Sequence, residues 1–429
     1  MFPISPSWRN LLATLWYPST WKNYRETQLV TPQSFDLDFE HSISRLSLPF
    51  DGRISFPFEH IYEFDERLSE RPHFYTRAGS QLEDTLAQAL VQLEAGYVQS
   101  KDYNNNLSAT LFSSGMAAVS SLVHFLNVLI PVEQKKDAHF VVGNTLYTDT
   151  QVLFHELVPK LGFGKTISVD TTNADQLYQI LAYHPEKIIA LFYESVSNPL
   201  IKYTDTRTIA EIAHDHDVPV VVDNTFLSPY LQQPFRLGAD LVVQSLTKYY
   251  GGYGDTQAGA MVGPKQFLTA LRSVQRLWGN TPSPEIMWTL HQRLRTLPAR
   301  MQQHVSHARD IAQHFHHSPY IDRIYHPFLG DATRDGSPGG VLSFSLAGEN
   351  PKEKIEKERA LLQHLINHHH TPIANEVGFG QDRYLILHRG NFRRDTTLPE
   401  GLIRVATGRH PSVDTVIEFL DRALQKIYD

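Results

Sequence analysis

Ser245-Leu-Thr-Lys-Tyr-Tyr-Gly-Gly-Tyr-Gly-Asp255 is the stretch on which the reading of this chain turns. Lys248 follows two hydroxyl residues, Ser245 and Thr247, and precedes a glycine pair, Gly251 and Gly252. An apolar run, Val220-Val-Val222, ends at Asp223, 25 residues before the lysine. A buried lysine amine can lose its proton and form a Schiff base. Small hydroxyl residues beside it suit a phosphate, and an aspartate at the C-terminal end of a strand can pair with a pyridinium nitrogen. These are the groups that a pyridoxal 5'-phosphate (PLP) site needs. The competing reading is a surface lysine on a glycine-containing loop, because lysines are mostly exposed.

The flanking sequence favours the ligand site. Apolar runs predict strands at Ala109–Phe112, Ala138–Gly143, Thr166–Val169, Lys187–Phe192, Val218–Val222, Ala239–Gln244 and Ala258–Val262. Helical spacing predicts helices at about 81–95, from Ser113-Ser-Gly-Met-Ala-Ala118 to about 129, at about 150–161 and at 204–216. Strands alternating with helices imply a mostly parallel sheet with crossover helices. Ligands bind such sheets beyond the C-terminal ends of the strands. Ser114, Tyr147, Glu194, Asn198, Asp223 and Lys248 all fall just after a predicted strand. The turn at Ser113–Met116 leads into a helix N-terminus, whose free N–H groups and dipole attract an anion. Tyr75 and Arg77 lie two apart, so an extended segment would point both the same way, an arrangement suited to a phosphate.

A long helical region at about 265–317 leads to a second pattern: a strand at Gly339–Ser345, a helix at 351–369, a strand at Gly401–Ala406 and a final helix at 412–427. This suggests a small α+β domain. Arg404 lies inside the apolar strand, where an unpaired guanidinium would be costly. A structural ion pair and a bidentate grip on a substrate carboxylate both explain it. The expected organisation is an N-terminal arm at 1–78, a large PLP-binding domain at 79–290 and a small domain at 291–429. The arm is rich in aromatics and proline, with Trp8, Trp16, Tyr17, Trp21 and Tyr24 needing burial on this chain or on a partner subunit.

Composition narrows the classes. At 429 residues, with 41% apolar and 20% charged residues, the chain reads as soluble and globular, with room for two domains. A net charge of −7 gives no footprint for nucleic acid. The absence of cysteine excludes disulfides, thiolate catalysis and zinc-thiolate sites. No signal peptide or membrane span is expected, and a cytoplasmic location is the default. The chain holds 22 histidines, including His364 and His368 at i,i+4 spacing and the run His368-His-His370. No carboxylate or third convergent ligand accompanies them, so no metal is expected.

Taken together, these residues resemble the Cys/Met-metabolism family of PLP enzymes, which holds cystathionine γ-synthase, cystathionine lyases, methionine γ-lyase and homoserine-ester sulfhydrylases. The matching pieces are Tyr75-Thr-Arg77, Ser113–Ala118, Tyr147 with Thr150, Glu194-Ser-Val-Ser-Asn-Pro199, Asp223-Asn-Thr-Phe226, Gly238-Ala-Asp240, Ser245–Lys248, Gly339-Gly340 and Arg404, in family order. The resemblance implies an α/β chain of PLP fold type I. A large domain would carry a mostly parallel seven-stranded sheet, followed by a smaller α+β domain. It implies that Lys248 carries PLP, that Asp223 keeps the pyridine nitrogen protonated, and that Tyr147 stacks on the ring and helps move protons. Gly115 and Met116 N–H groups, with Ser245 and Thr247, would bind the phosphate, reached also by Tyr75 and Arg77 of a neighbouring subunit. Asn198 would lie near the ring and the substrate, and Arg404 would take the substrate carboxylate. The implied partner is a small amino-acid substrate, and the implied assembly is a homodimer or homotetramer with shared sites.

By this likeness the reaction is γ-replacement or γ-elimination through a vinylglycine-type intermediate, on an amino acid with a Cγ leaving group. A PLP-dependent β-lyase and a non-catalytic PLP-binding member are the alternatives. The chain departs from the family at Ala78-Gly79-Ser80, at Gly252-Tyr253-Gly254-Asp255, at Glu376-Val377-Gly378 and at His410. Glu376 places a carboxylate where the family has a small hydroxyl near the substrate. A specialised amino-acid substrate is the expectation.

Overall fold

The computed structural model describes residues 75–95, 106–183, 187–327, 333, 336–367, 371–392 and 398–429. The aromatic arm before Tyr75 and the run His368–His370 lie outside them. The chain divides into two compact units, and the divisions fall inside the motifs. The first holds residues up to Ser195, Thr204–Thr247 and Thr256–Arg295; the second holds Val196–Tyr203, Lys248–Asp255 and Thr296–Asp429.

The first unit is built on seven strands: β1 (Leu107–Phe112), β2 (His139–Gly143), β3 (Thr166–Val169), β4 (Ile188–Glu194), β5 (Val220–Asp223), β6 (Leu241–Ser245) and β7 (Gly259–Pro264). Their order across the sheet is β1-β7-β6-β5-β4-β2-β3. All neighbours from β6 through β3 pair in parallel, and β7 alone runs against its neighbours. The helices are α1 (Gln81–Ala95), α2 (Gly115–Leu129), α3 (Thr148–Val152), α4 (Ala174–Tyr183), α5 (Thr206–Asp215), α6 (Ser228–Leu231), α7 (Lys265–Trp278) and α8 (Pro284–Leu294). The continuous apolar runs follow from burial on both faces of a parallel sheet. Val220, Val221 and Val222 are all fully buried, each contributing about 1.5–3 kcal/mol of burial. Phe140 contacts Phe154 and Phe163 edge-on, and Phe154 meets Phe192, closing the core beside β2 and β4.

The single helix expected at 150–161 is broken. α3 gives way to a wider turn at Leu153–Leu157 and a tight one at Pro159–Leu161. Pro159 has no N–H and its ring crowds the carbonyl four residues back, so the preceding turn widens. The Val158 N–H accordingly donates to Leu153 O, five residues earlier.

The second unit carries α9 (Leu297–Phe315), β8 (Ile321–Tyr325), β9 (Val341–Leu346), α10 (Pro351–Asn367), β10 (Ile373–Asn375), β11 (Tyr384–His388), β12 (Leu402–Ala406) and α11 (Val413–Tyr428). Its sheet order is β10-β11-β12-β9-β8. In α11 the buried residues Val416, Phe419, Leu420, Ala423 and Leu424 form one helical stripe. They pack with Leu342, Phe344 and Ile403 into a core of their own. The helical region expected at 265–317 is three helices: Gly279 ends α7 with φ 72°, and Ser283 caps α8 just before Pro284.

Candidate active site

In the first unit, the predicted residues lie at or just after the ends of five strands, β1, β2, β4, β5 and β6. Ser114 caps α2, its Oγ accepting from the Ala117 N–H at 2.9 Å. The Gly115 and Met116 N–H groups stay outside the intrahelical ladder and carry the positive end of the dipole. Gly115 is required here by space: a Cβ would stand 2.8 Å from Ser245 Cβ. The Ser245 N–H donates to Thr225 Oγ1 at 2.8 Å, and the Thr225 N–H donates to Asp223 Oδ1 at 2.9 Å. Among the described residues the Ser245 hydroxyl makes no hydrogen bond of its own. The Thr247 hydroxyl, by contrast, both donates to Ala258 O and accepts from its N–H, each at 3.2 Å.

Asp223 and Glu194 end adjacent parallel strands at the same register. Enclosure raises the Asp223 carboxyl above its ordinary value, against the lowering effect of its bonds to Thr225. Enclosure and the charge of Asp223 hold Glu194 well above its own. Glu194 Oε1 accepts from the Tyr147 N–H at 2.5 Å, pinning the start of α3. The Tyr147 phenol is half exposed. Partial burial and the acids Asp149 and Glu194 raise its pKa.

Tyr75 and Arg77 are both exposed, but they are not on an extended segment. The Ala78 N–H closes a turn onto Tyr75 O at 2.7 Å. Rather than pointing in parallel, the Arg77 guanidinium lies 5.2 Å over the Tyr75 ring and donates to Arg276 O.

In the second unit, Lys248 is partly buried, with its ammonium 5.3 Å from the centre of the Phe379 ring. Among the described residues its ammonium has no hydrogen bond or ion pair, while its carbonyl accepts from the Gly252 N–H at 2.8 Å. Burial lowers its pKa, and the Arg404 charge lowers it further. Arg404 is buried; its Nη1 donates to Asn198 Oδ1 at 3.1 Å and its Nη2 to Gly378 O at 2.6 Å. Burial brings it down to about 10, which leaves it cationic at neutral pH. Through these two bonds Arg404 holds a side-chain amide oxygen and a backbone carbonyl.

The backbone behind Lys248 is clamped. Arg300, 2% exposed, donates through Nη1 to Tyr249 O, through Nη2 to Tyr250 O and through Nε to Thr296 Oγ1. The Tyr249 hydroxyl accepts from the Gly340 N–H at 3.0 Å. Glu376 is half exposed and pairs with Arg383. His410 is exposed. Sequence reasoning missed Arg300, Thr225 and the grip of Glu194 on Tyr147. A signal existed for Arg300, which falls on the apolar stripe of α9 with Leu297, Met301, His304 and Ala308.

The Cys/Met metabolism PLP-dependent enzyme family is matched over residues 38–425. The chain belongs to that family. A cystathionine β-lyase of Lactococcus lactis subsp. cremoris is 28% identical over 393 residues, 87% of this chain and 95% of its own length. An L-methionine γ-lyase of Fusobacterium nucleatum subsp. polymorphum is 28% identical over 405 residues, 89% of this chain and 94% of its own. The crystal structure of cystathionine γ-synthase from Xanthomonas oryzae pv. oryzae in complex with cystathionine superposes with a TM-score of 0.75 at 27% identity, covering 93% of this chain and 99% of that one. The protein is therefore a PLP-dependent enzyme of the trans-sulfuration group, with the type I fold. Among the described residues no helix is long and apolar enough to cross a membrane, and no three His, Asp or Glu side chains cluster as metal ligands would.

The residues present fit the cofactor. Among the described residues the amine of Lys248, its basicity lowered, has no acid partner; the Ser245 side chain packs against Gly115 at the start of α2, where a Cβ would come within 3.1 Å of its hydroxyl; and an enclosed carboxyl ends β5.

Proposed function

We propose that this enzyme acts on an amino acid with a leaving group at Cγ, by γ-replacement or γ-elimination. The observation that carries the reading is Lys248: a partly buried amine whose pKa is lowered by burial and further by the charge of Arg404. Bound PLP supplies the aldehyde and an electron sink for charge developing at Cα. Lys248 is assigned as the residue that holds the cofactor and then serves as base. Asp223 keeps the ring nitrogen protonated. Gly115, Met116, Ser245 and Thr247 bind the phosphate, and Tyr147 covers the ring. Arg404 binds the substrate α-carboxylate, with Asn198 orienting it. Tyr75 and Arg77 reach the phosphate of a neighbouring subunit in a homodimer or homotetramer. Glu376, tied to Arg383, is assigned to the distal end of the substrate.

γ-Chemistry needs two protons moved. Lys248 Nζ takes the one at Cα, would hand that proton to the electron sink that bound PLP supplies and so regain its lone pair, and then takes the one at Cβ, while the leaving group departs from Cγ with its bonding pair. Gly378 lies beside the amine, where a Cβ would come into van der Waals contact with Nζ at 4.0 Å. In replacement a nucleophile adds at Cγ and both protons return; in elimination water completes release of 2-oxobutanoate and ammonia.

A second reading, β-elimination, is supported by the β-lyase relative at the same 28% identity as the γ-lyase. Offering O-acylhomoserine with cysteine, cystathionine and methionine, and measuring products by mass spectrometry, separates the two. Cystathionine or 2-oxobutanoate is expected. Pyruvate as the sole keto acid from every substrate would overturn the γ reading.

A further inference from the structure

Within the second unit, Gly378-Phe-Gly380 lies against the segment that carries Lys248. Both glycines sit at positive φ, 118° at Gly378 and 76° at Gly380, backbone that a side chain makes costly. Gly380 also needs the space: a Cβ there would stand 2.7 Å from the Tyr249 nitrogen and 3.0 Å from the Lys248 carbonyl carbon. Gly378 is tied on its other side, its carbonyl accepting from Arg404 Nη2 at 2.6 Å. The backbone on each side of Phe379 is therefore fixed by contacts. Between these two turns the Phe379 ring is buried. Its centre lies 5.4 Å from that of the Tyr249 ring and 5.3 Å from the Lys248 ammonium. Tyr249 is itself held, its hydroxyl accepting from the Gly340 N–H and its carbonyl from Arg300.

The surroundings of the amine otherwise disfavour its charge. Burial lowers its pKa, and the Arg404 cation lowers it further. On the Phe379 loop the two acids are engaged elsewhere, Glu376 with Arg383 and Asp382 with Arg409. Against Tyr249, burial brings His304 down to about 3, so that it is neutral at neutral pH. Burial raises the Tyr249 phenol, which stays protonated. Arg300 is bonded to the carbonyls of Tyr249 and Tyr250. An aromatic face attracts a cation through its quadrupole, yet it has no proton to give or take.

We propose that Phe379 is a positioning residue for Lys248: its ring keeps the amine at its face and steadies the ammonium form by cation–π attraction. The catalytic meaning rests on the reading of Lys248 as the base. A base that takes two protons in turn must carry charge briefly and then lose it. A carboxylate partner would hold the ammonium through a charge-assisted bond, whereas an aromatic face supports it more weakly.

The test reads the amine itself in the full-length, cofactor-free chain. Acetic anhydride acetylates only the neutral amine, so acetylation of the Lys248 peptide, followed by mass spectrometry across pH, gives the midpoint of its titration. Wild type is compared with Phe379→Leu, with Phe379→Tyr and with a chain carrying trifluorinated phenylalanine at position 379. The fluorinated ring keeps the shape and cancels the negative face, so this protein tests the contact even where the leucine variant does not fold. Both it and Phe379→Leu should titrate lower than wild type by about 0.4 to 1.5 pH units, the range of a cation–π contact. Phe379→Tyr keeps the face and should restore the wild-type midpoint. An unchanged or raised midpoint in the fluorinated protein overturns the proposal. A raised midpoint in Phe379→Leu also overturns it, because the ring would then act only as a wall against water. The readout is independent of turnover: if PLP proved to be joined to another lysine, the reading of Lys248 as base would fail while the midpoints still decided whether Phe379 steadies its charge.

Discussion

Glu194 and Asp223 terminate neighbouring parallel strands as a register pair, so two carboxyl groups share one enclosed corner of the first unit. Each is pushed above its ordinary range, and the Asp223 charge contributes to the rise at Glu194. Only Glu194 spends an oxygen on the Tyr147 backbone. The sign of the pH effect follows. A carboxyl whose pKa is higher folded than unfolded binds more protons in the folded state. Stability is therefore full at low pH and falls as pH rises from the ordinary 4.5 through the raised folded value. Glu194→Gln keeps an acceptor for Tyr147 and removes one ionisation. Cofactor-free Glu194→Gln should lose less thermal stability than wild type as pH is raised from 4.5. A larger loss, measured by circular dichroism melts, would contradict the shared-corner reading.

Gly115 has no room for a side chain, since a Cβ would meet Ser245 Cβ at 2.8 Å. Gly115→Ala forces α2 away from β6, costing about 1–3 kcal/mol by overpacking. PLP affinity should fall along with the melting temperature. Equilibrium dialysis with PLP checks this, and unchanged affinity would move the phosphate site elsewhere.

Arg404 makes two directed bonds, to Asn198 and to Gly378 O, which fix the plane of its guanidinium. A lysine keeps the charge but loses the fork. Arg404→Lys should raise KM about 10- to 100-fold, the scale of one or two lost charge-assisted bonds, with a smaller change in kcat. Steady-state kinetics on the best substrate decide it; a pure kcat effect would contradict the anchoring role.

Arg300 holds the carbonyls of Tyr249 and Tyr250, the two residues after Lys248. Arg300→Met leaves both buried acceptors unmet, at about 1–3 kcal/mol each. Chemical denaturation should show that loss. If Lys248 is the base proposed above, kcat should fall more than folding stability alone explains at temperatures where the variant remains folded.

The fold was legible where the sequence has strong periodicity. Val220-Val-Val222 and Leu241-Val-Val243 are apolar without alternation, as strands buried on both faces must be, and their ends located Asp223 and Ser245. The short strands Ile321–Tyr325, Ile373–Asn375 and Tyr384–His388 went unread. β8 mixes Asp322 and Arg323 into an edge strand, and β10 has only three residues, so neither shows a clear period. Residue types singled out Lys248 and Arg404 as candidates, because a cation in an apolar setting is conspicuous, and both are at least partly buried. The Glu194–Tyr147 bond was invisible, since it joins a side chain to a backbone N–H 47 residues away. The turn at Tyr75–Arg77 was hidden for a similar reason: the stacking of Arg77 over Tyr75 and its bond to Arg276 O depend on α7, far along the chain.

The central claim is that Lys248 is the amine to which the cofactor is joined. Borohydride reduction of the holoenzyme, followed by proteolysis and mass spectrometry, tests it at one residue. The account predicts a phosphopyridoxyl adduct on the peptide containing Lys248, absent in Lys248→Ala. An adduct on a different lysine, or a Lys248→Ala variant that still carries the label and turns over amino acids, would contradict it.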